Sequence, residues 1–558
     1  MEDAIRKATQ TALGELGAGD VNFAVEWPAD MGHGDYAVNA AMAGAKQLGK
    51  NPRELADTLA PLIARELGDT VSGVEVAGPG FINIRLASAT VEEVLATAYE
   101  KGGAWGRGTA RAGQKVVFEY SCPNPFKEMH IGHLMSTVIG EASSRLIETQ
   151  GARVTRDTYG GDVGPHVAKA LWALQKRGVS VPDSATEIGE AYAEGSRAYE
   201  DSEEAKAEID TLNTELYLAL AKEESVRTDT ERTLLELWRH GRDLSYDSHK
   251  TTWKALGTVF DYILHESETA PIGMRVVKEA QGKGVFEESD GAVIYRGEKK
   301  GLHTLVFITS RGTPTYETKD VGLAFLKEER LAPIDYSYIM TASEQSGHFA
   351  VFISALEDIA PTLAHKTHHI PHGFLRLTTG KMSSREGGVI TARELLQDLI
   401  MRASQRNEDP VIAEEVAIGA LKYFILRQAP GGDIIFDPEQ SLSLEGDSGP
   451  YLQYALVRAR SILAQATARA TSSTEGNEVL ARLITRFPEV VRKAEAHKAP
   501  QGVTQYLTQL AGEWNSFYAK ERILGGENEG EKLALVRAFV TTMENGLMML
   551  GIPAPEKM

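Results

Sequence analysis

Val116-Val117-Phe118-Glu119-Tyr120 runs directly into Ser121-Cys122-Pro123-Asn124-Pro125-Phe126-Lys127-Glu128-Met129 and then His130-Ile131-Gly132-His133-Leu134. The first five residues read as a buried strand, Pro123 and Pro125 force a turn, and an amphipathic pattern predicts a helix from about 133 to 151. Strand, turn and helix in this order open a doubly wound nucleotide-binding sheet. His130 and His133 are three apart and so share a face at the helix end that attracts anions. Gly132 lacks a side chain and lets a flat base approach the backbone. A His-x-x-His pair alone reads equally as surface or metal-binding histidines. At such a helix start the two imidazoles would flank a phosphate, and the spacing alone leaves both readings open.

Around this segment, 558 residues predict three or four structural units, and 42% hydrophobic with 25% charged residues argues for packed cores. The net charge of −19 discourages a polyanion partner at first sight, because such partners need local Lys and Arg. Residues 401–558, however, hold 17 Lys and Arg against 20 Asp and Glu, so the acidity is concentrated upstream and an RNA contact in the last quarter is permitted. The single cysteine, Cys122, excludes an intramolecular disulfide and a multi-cysteine zinc site, and fits a reducing cytoplasm. The first sixteen residues are too interrupted by charge for a secretory signal. No run of about eighteen consecutive apolar residues follows, so no membrane partner is expected.

Residues 1–88 read as a small α/β unit, with helices near 2–17, 36–48 and 52–67 and a strand-like run over Val71–Leu86. Residues 89–112 read as a helix and a glycine-rich linker, and 113–391 as the sheet-bearing unit, with a charged helical insertion over about 185–256. Strand-like runs return at Ala292–Tyr295, Leu305–Thr309 and Tyr336–Met340, as an interrupted sheet would require. From 392 to 558 the periodicity is helical, through Val411–Leu426, Tyr451–Ala466, Val479–Val491 and Leu533–Leu550, with a polar loop at Thr467–Gly476.

A second segment, Gly380-Lys381-Met382-Ser383-Ser384-Arg385-Glu386-Gly387-Gly388, is a glycine-flanked cationic loop able to close over a triphosphate and neutralise charge on departing pyrophosphate. The two segments in this order resemble the His-Ile-Gly-His and Lys-Met-Ser-Lys-Ser signatures of class I aminoacyl-tRNA synthetases, with Ser384 where the pattern has its second lysine. The run from Glu119 through Asn124, with Lys127, His130, Gly132, His133, Leu134, Ser136 and Thr137, resembles the arginyl family's version. So do His33–Ala37, Lys50–Arg53, Gly78–Asn83, Tyr316–Asp320 and Gly449–Ala455 with Arg458, a likeness spanning nearly the whole chain. Gly161-Asp162-Val163-Gly164 resembles a family turn that usually carries Trp in place of Val163.

The resemblance implies an α/β fold: a class I Rossmann-type parallel-sheet catalytic domain with insertions, a small N-terminal tRNA-contacting α/β domain, and a C-terminal α-helical anticodon-binding bundle. It implies arginine activation with ATP and Mg²⁺, transfer to the terminal adenosine of tRNA(Arg), activation that requires bound tRNA, and a monomer. His130, Gly132, His133, His372, Lys381, Met382, Ser383 and Ser384 would bind ATP. Lys127 and Lys381 would join the histidines in catalysis, Lys127 supplying the cation missing at Ser384.

A guanidinium demands carboxylates that can meet its planar fork, for which Asp320 and Glu266 are the candidates, with Tyr316 four residues from Asp320. Glu266 rests on the resemblance alone, as do Glu119, Asn124 and Gln345 for the substrate's amino and carboxylate groups. Cys122 is either a weak donor to arginine or a structural residue. Tyr451, Gln453, Tyr454 and Arg458 would touch tRNA. For His365, His368, His369 and His372 a strand near the nucleotide is preferred to a metal site, because no nearby carboxylate or cysteine completes one. A single cysteine speaks against a cysteinyl-type enzyme, and the N-terminal unit against a glutamyl type. The remaining rival is a catalytically dead tRNA-binding paralogue, against which His130, His133, Lys381 and Asp320 stand.

Overall fold

The computed structural model describes residues 1–378, 390–467 and 478–558. Helix α1 (Glu2–Glu15) buries Ile5, Ala8, Ala12 and Leu13 along one stripe. Strands β1 (Val25–Glu26) and β2 (Tyr36–Val38), helices α2 (Ala40–Leu48) and α3 (Pro52–Leu67), and strands β3 (Val71–Ala77) and β4 (Phe81–Leu86) complete an antiparallel sheet of order β1-β2-β4-β3. Helix α3 starts where its sequence says it should: the Asn51 side chain accepts from the Arg53 N–H, and Pro52 occupies the first turn. Two expectations change here. The helix expected from 36 begins at Ala40, because Tyr36–Val38 pair with Ile82–Ile84. The run 71–86 is a hairpin, turned at Gly78 and Gly80 with φ of 53° and 131°. A Cβ on Gly80 would lie 2.9 Å from the Pro52 carbonyl oxygen.

Helix α4 (Ser88–Lys101) leads into the glycine-rich segment, which is fastened down rather than loose. Trp105 is buried and its indole donates to Thr542 Oγ1 at 3.1 Å, while Asn545 Nδ2 donates to the carbonyls of Gly102 and Trp105.

The central unit follows as β5 (Lys115–Glu119), α5 (Ile131–Thr149), β6 (Arg153–Gly160), α6 (Pro165–Lys176), α7 (Ala185–Asp201), α8 (Glu203–Ala221), α9 (Asp229–Ala255), β7 (Tyr262–His265), α10 (Glu266–Gln281), β8 (Glu287–Ser289), β9 (Ala292–Tyr295), β10 (Leu305–Ile308), α11 (Tyr316–Leu331), β11 (Tyr336–Ala342), α12 (Ser346–Ile359), α13 (Pro361–Lys366) and β12 (Thr367–His372). Strands β12-β11-β5-β6-β7 form one sheet, parallel throughout. Val116, Val117 and Phe118 are all buried, as a parallel strand covered on both faces requires. The chain leaves β5 toward β6 and later returns to its other side with β11, which places the topological switch between β5 and β11, where such sheets bind ligands.

The runs at 292–295 and 305–309 do not rejoin this sheet. With β8 they make a separate antiparallel sheet of order β10-β9-β8, because a neighbouring hairpin partner closes a far shorter loop. Helices α6 to α9 share a core of their own, including Val163, Leu171, Ile188, Leu216 and Trp238.

Beyond β13 (Leu375–Leu377) come α14 (Ala392–Ser404), α15 (Pro410–Leu426), β14 (Ile434–Phe436), α16 (Pro438–Ser441), α17 (Gly449–Gln465), α18 (Glu478–Thr485), α19 (Phe487–Ala496), α20 (Gln501–Lys520) and α21 (Glu529–Leu550). Strand β14 pairs in parallel with β13, so the region after 392 is not wholly helical. The helix expected over 479–491 breaks at Arg486, just before Pro488, whose missing N–H is harmless only in a first turn. Helix α21 is long and apolar enough to cross a membrane by length and composition, which the search for uninterrupted apolar runs passed over. Its apolar window is 72% buried inside the protein, as in a core helix. The polar loop expected at 467–476 lies, from 468 onward, outside the described residues.

Candidate active site

Strand β5 ends at Glu119 beside the switch point, and the chain leaves it through an unusual turn. Ser121, Cys122 and Phe126 have φ of 72°, 50° and 64°, a region costing roughly 1–3 kcal/mol per non-glycine residue. Hydrogen bonds impose it. Ser121 N–H donates to Ser136 Oγ at 3.0 Å, Thr137 Oγ1 and Trp253 Nε1 donate to Ser121 Oγ at 2.8 and 2.9 Å, and Phe126 N–H donates to Ser245 Oγ at 3.0 Å. The turn delivers His130 to the N-cap of α5.

There the two imidazoles stack at 3.8 Å and cap the helix reciprocally. His130 Nδ1 accepts from the Gly132 N–H at 3.1 Å, and His133 Nδ1 accepts from the His130 N–H at 3.2 Å. Because each Nδ1 accepts, each ring proton sits on Nε2, leaving two N–H donors at the positive end of a helix. Burial, and after it the positive Lys127, hold the His130 pKa below the usual histidine value. Burial does so more strongly at His133, with His130, His249, Lys127 and His372 adding to it. Both rings are neutral donors at pH 7. Lys127 lies with its ammonium 4.7 Å over the Tyr192 ring of α7, while its carbonyl accepts from His249 Nε2 at 3.1 Å. His372 ends β12, buried, with Nδ1 2.7 Å from its neighbour's carbonyl at Gly373. Lys381, Met382, Ser383 and Ser384 lie outside the described residues.

On the other side of the turn is an acidic cluster. Cys122 Sγ lies 3.7 Å from Glu119 Oε1, and burial pushes its thiol pKa up, so it is no nucleophile. Asn124 Oδ1 accepts from the Gly161 N–H at 2.8 Å, and a Cβ on Gly161 would meet both Asn124 and Glu266 within 3.2 Å. Asp320 is four residues along α11 from Tyr316, but Tyr316 is 67% exposed and Gln345, after β11, is exposed too. The half-buried Tyr159 phenol feels Glu266, Asp320 and Glu119 at once, which places it among them. Burial raises its pKa first, and these carboxylates raise it further.

Each carboxylate has a resident cation that sequence reading had not assigned. Lys327 Nζ lies 2.6 Å from Glu119 Oε2 and 2.8 Å from Asp157 Oδ2. Lys319 Nζ lies 2.5 Å from Glu266 Oε2. His348 bridges Asp320 Oδ2 at 2.6 Å and Glu317 Oε1 at 3.3 Å. His348 is raised to about 10: burial opposes its charge, but the hydrogen bonds to Asp320 and Glu317 prevail. Asp162, buried in the turn after β6, accepts from Ser267 N–H and Oγ at 2.9 and 2.7 Å and so orients the start of α10, which carries Glu266. Only Lys319 was within reach of a sequence signal, inside Tyr316–Asp320. Lys327, eight residues further along α11, and His348 on α12 belong to no motif.

The histidines of β12 point to different tasks. His369 stacks on Phe349 at 4.2 Å and meets Thr341 Oγ1 at 2.8 Å, while His368 lies against Tyr336 and Tyr338. In the helical bundle, Arg458 lies over the rings of Tyr454 and Tyr518 at 4.9 and 4.6 Å, on a partly exposed face with Tyr451. Gln453 departs from the expectation. It is fully buried, and its amide donates to the carbonyls of Glu415 and Pro553, joining α17 to α15 and the C-terminal tail.

A parallel sheet whose switch point opens onto a histidine-capped helix and an acidic pocket is the architecture of a class I aminoacyl-tRNA synthetase. The family model for tRNA synthetases class I (R), catalytic domain, matches residues 94–437, the arginyl tRNA synthetase N-terminal domain matches 1–86, and the DALR anticodon-binding domain matches 452–558. The chain is 30% identical to an arginine–tRNA ligase of Flavobacterium psychrophilum over 79% of each chain, and 30% identical to one of Treponema denticola over 96% of this chain and 94% of that one. The arginyl-tRNA synthetase structure of Thermus thermophilus superposes with a TM-score of 0.82 at 27% identity, covering all of both chains. The chain belongs to the arginyl-tRNA synthetase family, which ligates arginine to tRNA at the expense of ATP.

Proposed function

We propose the following division of labour for arginylation at this site. The ATP phosphates lie at the N-terminus of α5, where the Nε2–H donors of His130 and His133 follow the charge that develops as arginine's carboxylate attacks the α-phosphate. Gly132 leaves room for the adenine, and His372 closes the nucleotide's far side. Mg²⁺ enters with ATP, bound to its phosphate oxygens, as part of the substrate. Lys127 and Lys381 draw charge from the leaving pyrophosphate. Met382, Ser383 and Ser384 join Lys381 in binding ATP, and Lys127 replaces the lysine absent at Ser384.

Arginine's guanidinium is met by Asp320 and Glu266, with Tyr316 at the pocket mouth. Its α-ammonium and carboxylate are met by Glu119, Asn124 and Gln345. Cys122 packs beneath them. Lys327 pairs with Glu119, and His348 opposes the burial that raises the Asp320 pKa, which favours the charged form a cationic substrate needs. The adenylate is then transferred to the terminal adenosine of tRNA(Arg), held in part by Tyr451, Tyr454 and Arg458. We assign activation to the tRNA-bound state, and the active species to a cytoplasmic monomer.

The observation that carries this reading is the adjacency of two neutral imidazole donors at a helix N-terminus and a buried carboxylate cluster, on either side of one turn. ATP–pyrophosphate exchange with each of the twenty amino acids, with and without tRNA, tests it. Exchange with arginine alone, and only when tRNA is present, is expected. No exchange with any amino acid despite tight tRNA binding would instead establish a catalytically silent paralogue.

A further inference from the structure

An open cavity of about 560 Å³ lies far along the chain from the catalytic turn, between Trp27 of the N-terminal sheet unit and helices α19 and α20 of the bundle. Its walls include Arg486, Lys493, His497, Gln505 and Gln509, and no Asp or Glu lines it, in a chain whose net charge is −19. Arg486 is 6% exposed, makes no ion pair among the described residues, and its Nη2 is buried without a hydrogen-bond partner. Its guanidinium lies 5.7 Å from the Trp27 ring centre, but a buried guanidinium with an unsatisfied N–H group and no carboxylate is costly, and a structure keeps one where something else completes it.

The nearest carboxylates are committed elsewhere. Asp35 pairs with Arg482 and accepts from the Leu86 N–H. Glu489 accepts from the Tyr36 hydroxyl and the Glu2 N–H, beside the N-terminal ammonium. Burial accordingly holds Arg486 below the usual arginine value, even though Asp35 and Glu489 oppose the shift. Lys493 is held over the Trp27 ring at 4.1 Å, and Glu2 balances its charge from 3.0 Å.

We propose that this cavity is a phosphate site, with Arg486 and Lys493 as its cationic ligands and the Gln505 and Gln509 amides at its mouth. A guanidinium fork with free N–H groups matches phosphate geometry, and the missing acids remove the repulsion that the rest of the surface would impose. The cavity joins the two units whose family models are the N-terminal and anticodon-binding domains. The favoured source is therefore a backbone phosphate of the bound tRNA, an assignment that rests on tRNA being the substrate. Free phosphate or pyrophosphate offers the same chemistry.

The test uses the full chain, Arg486→Gln, and Gln505→Glu, which sets an acid at an exposed position of the mouth where folding is not at stake. Affinity for tRNA(Arg) is measured across a salt series, and tryptophan fluorescence is followed during titration with inorganic pyrophosphate, with Trp27→Phe as the reporter control. An RNA phosphate is indicated if both variants weaken tRNA binding about tenfold and flatten the logarithmic salt slope by about one. A free phosphate ligand is indicated if tRNA affinity holds while a Trp27-dependent fluorescence response to pyrophosphate is lost in both variants. The proposal is overturned if both variants match the unmodified protein in the two assays. Arginylation by the unmodified protein, run alongside, shows separately whether the ligase reading stands.

Discussion

The Lys319 ammonium lies 2.5 Å from Glu266 Oε2, with both side chains buried and Tyr217 of α8 close enough to feel the lysine. The pocket proposed for a guanidinium thus already holds a cation of the protein's own. Glu266→Gln is expected to raise the arginine KM in tRNA-supported exchange by about 10- to 100-fold. It should also cost about 3–5 kcal/mol of stability, because Lys319 is left buried and unpaired. Adding Lys319→Met should restore the melting temperature and leave the arginine KM high. An unchanged arginine KM in Glu266→Gln would remove this residue from the binding site.

His133→Asn keeps a polar side chain at the helix start but withdraws the Nε2–H donor. The turnover of exchange should fall about 10²- to 10³-fold, the range for losing one donor to a developing charge. The arginine KM should move much less. Equal losses in both parameters would mean that the turn had collapsed rather than lost a donor.

His348 supplies a pH signature. Its folded pKa of about 10 lies above the ordinary histidine value of 6.5, so its stabilising contribution is complete below about pH 6.5 and is lost as pH rises through about 10. Thermal unfolding of the unmodified protein and His348→Asn, compared from pH 6 to 10, should show a gap that is widest at the acid end and narrows toward pH 10. A gap that widened with pH would reverse the assigned protonation.

Two neighbours on α17 should separate by phenotype. Arg458→Ala removes a partly exposed cation over Tyr454 and Tyr518, and is expected to raise the tRNA KM severalfold and reduce its salt dependence, with stability nearly unchanged. Gln453→Leu strands the Glu415 and Pro553 carbonyls and should cost about 1–3 kcal/mol of stability instead. Melting temperatures and aminoacylation kinetics of the pair decide the matter.

The turn from β5 into α5 was legible because its geometry is local. A strand, two prolines, His130, Gly132 and His133 are neighbours in sequence, and a helix end needs only its own residues to become an anion site. The same holds for α3, whose cap and starting proline adjoin each other. The two runs at 292–295 and 305–309 were legible as strands but not as members of a sheet, since period-2 alternation carries no record of which partner it meets.

What the sequence determined by itself was the class of fold and the strand, proline turn and histidine-started helix at its centre, because short-range backbone geometry suffices for them, while the candidate carboxylates were named through the family resemblance. Only the tertiary structure decided that Lys327, Lys319 and His348 pair with Glu119, Glu266 and Asp320, that Gln453 faces the core, and that Arg486 Nη2 is buried without a hydrogen-bond partner. Ion pairing and burial depend on distances between elements far apart in the chain. Lys327 and Glu119 are separated by 208 residues, and no local pattern encodes their meeting at 2.6 Å.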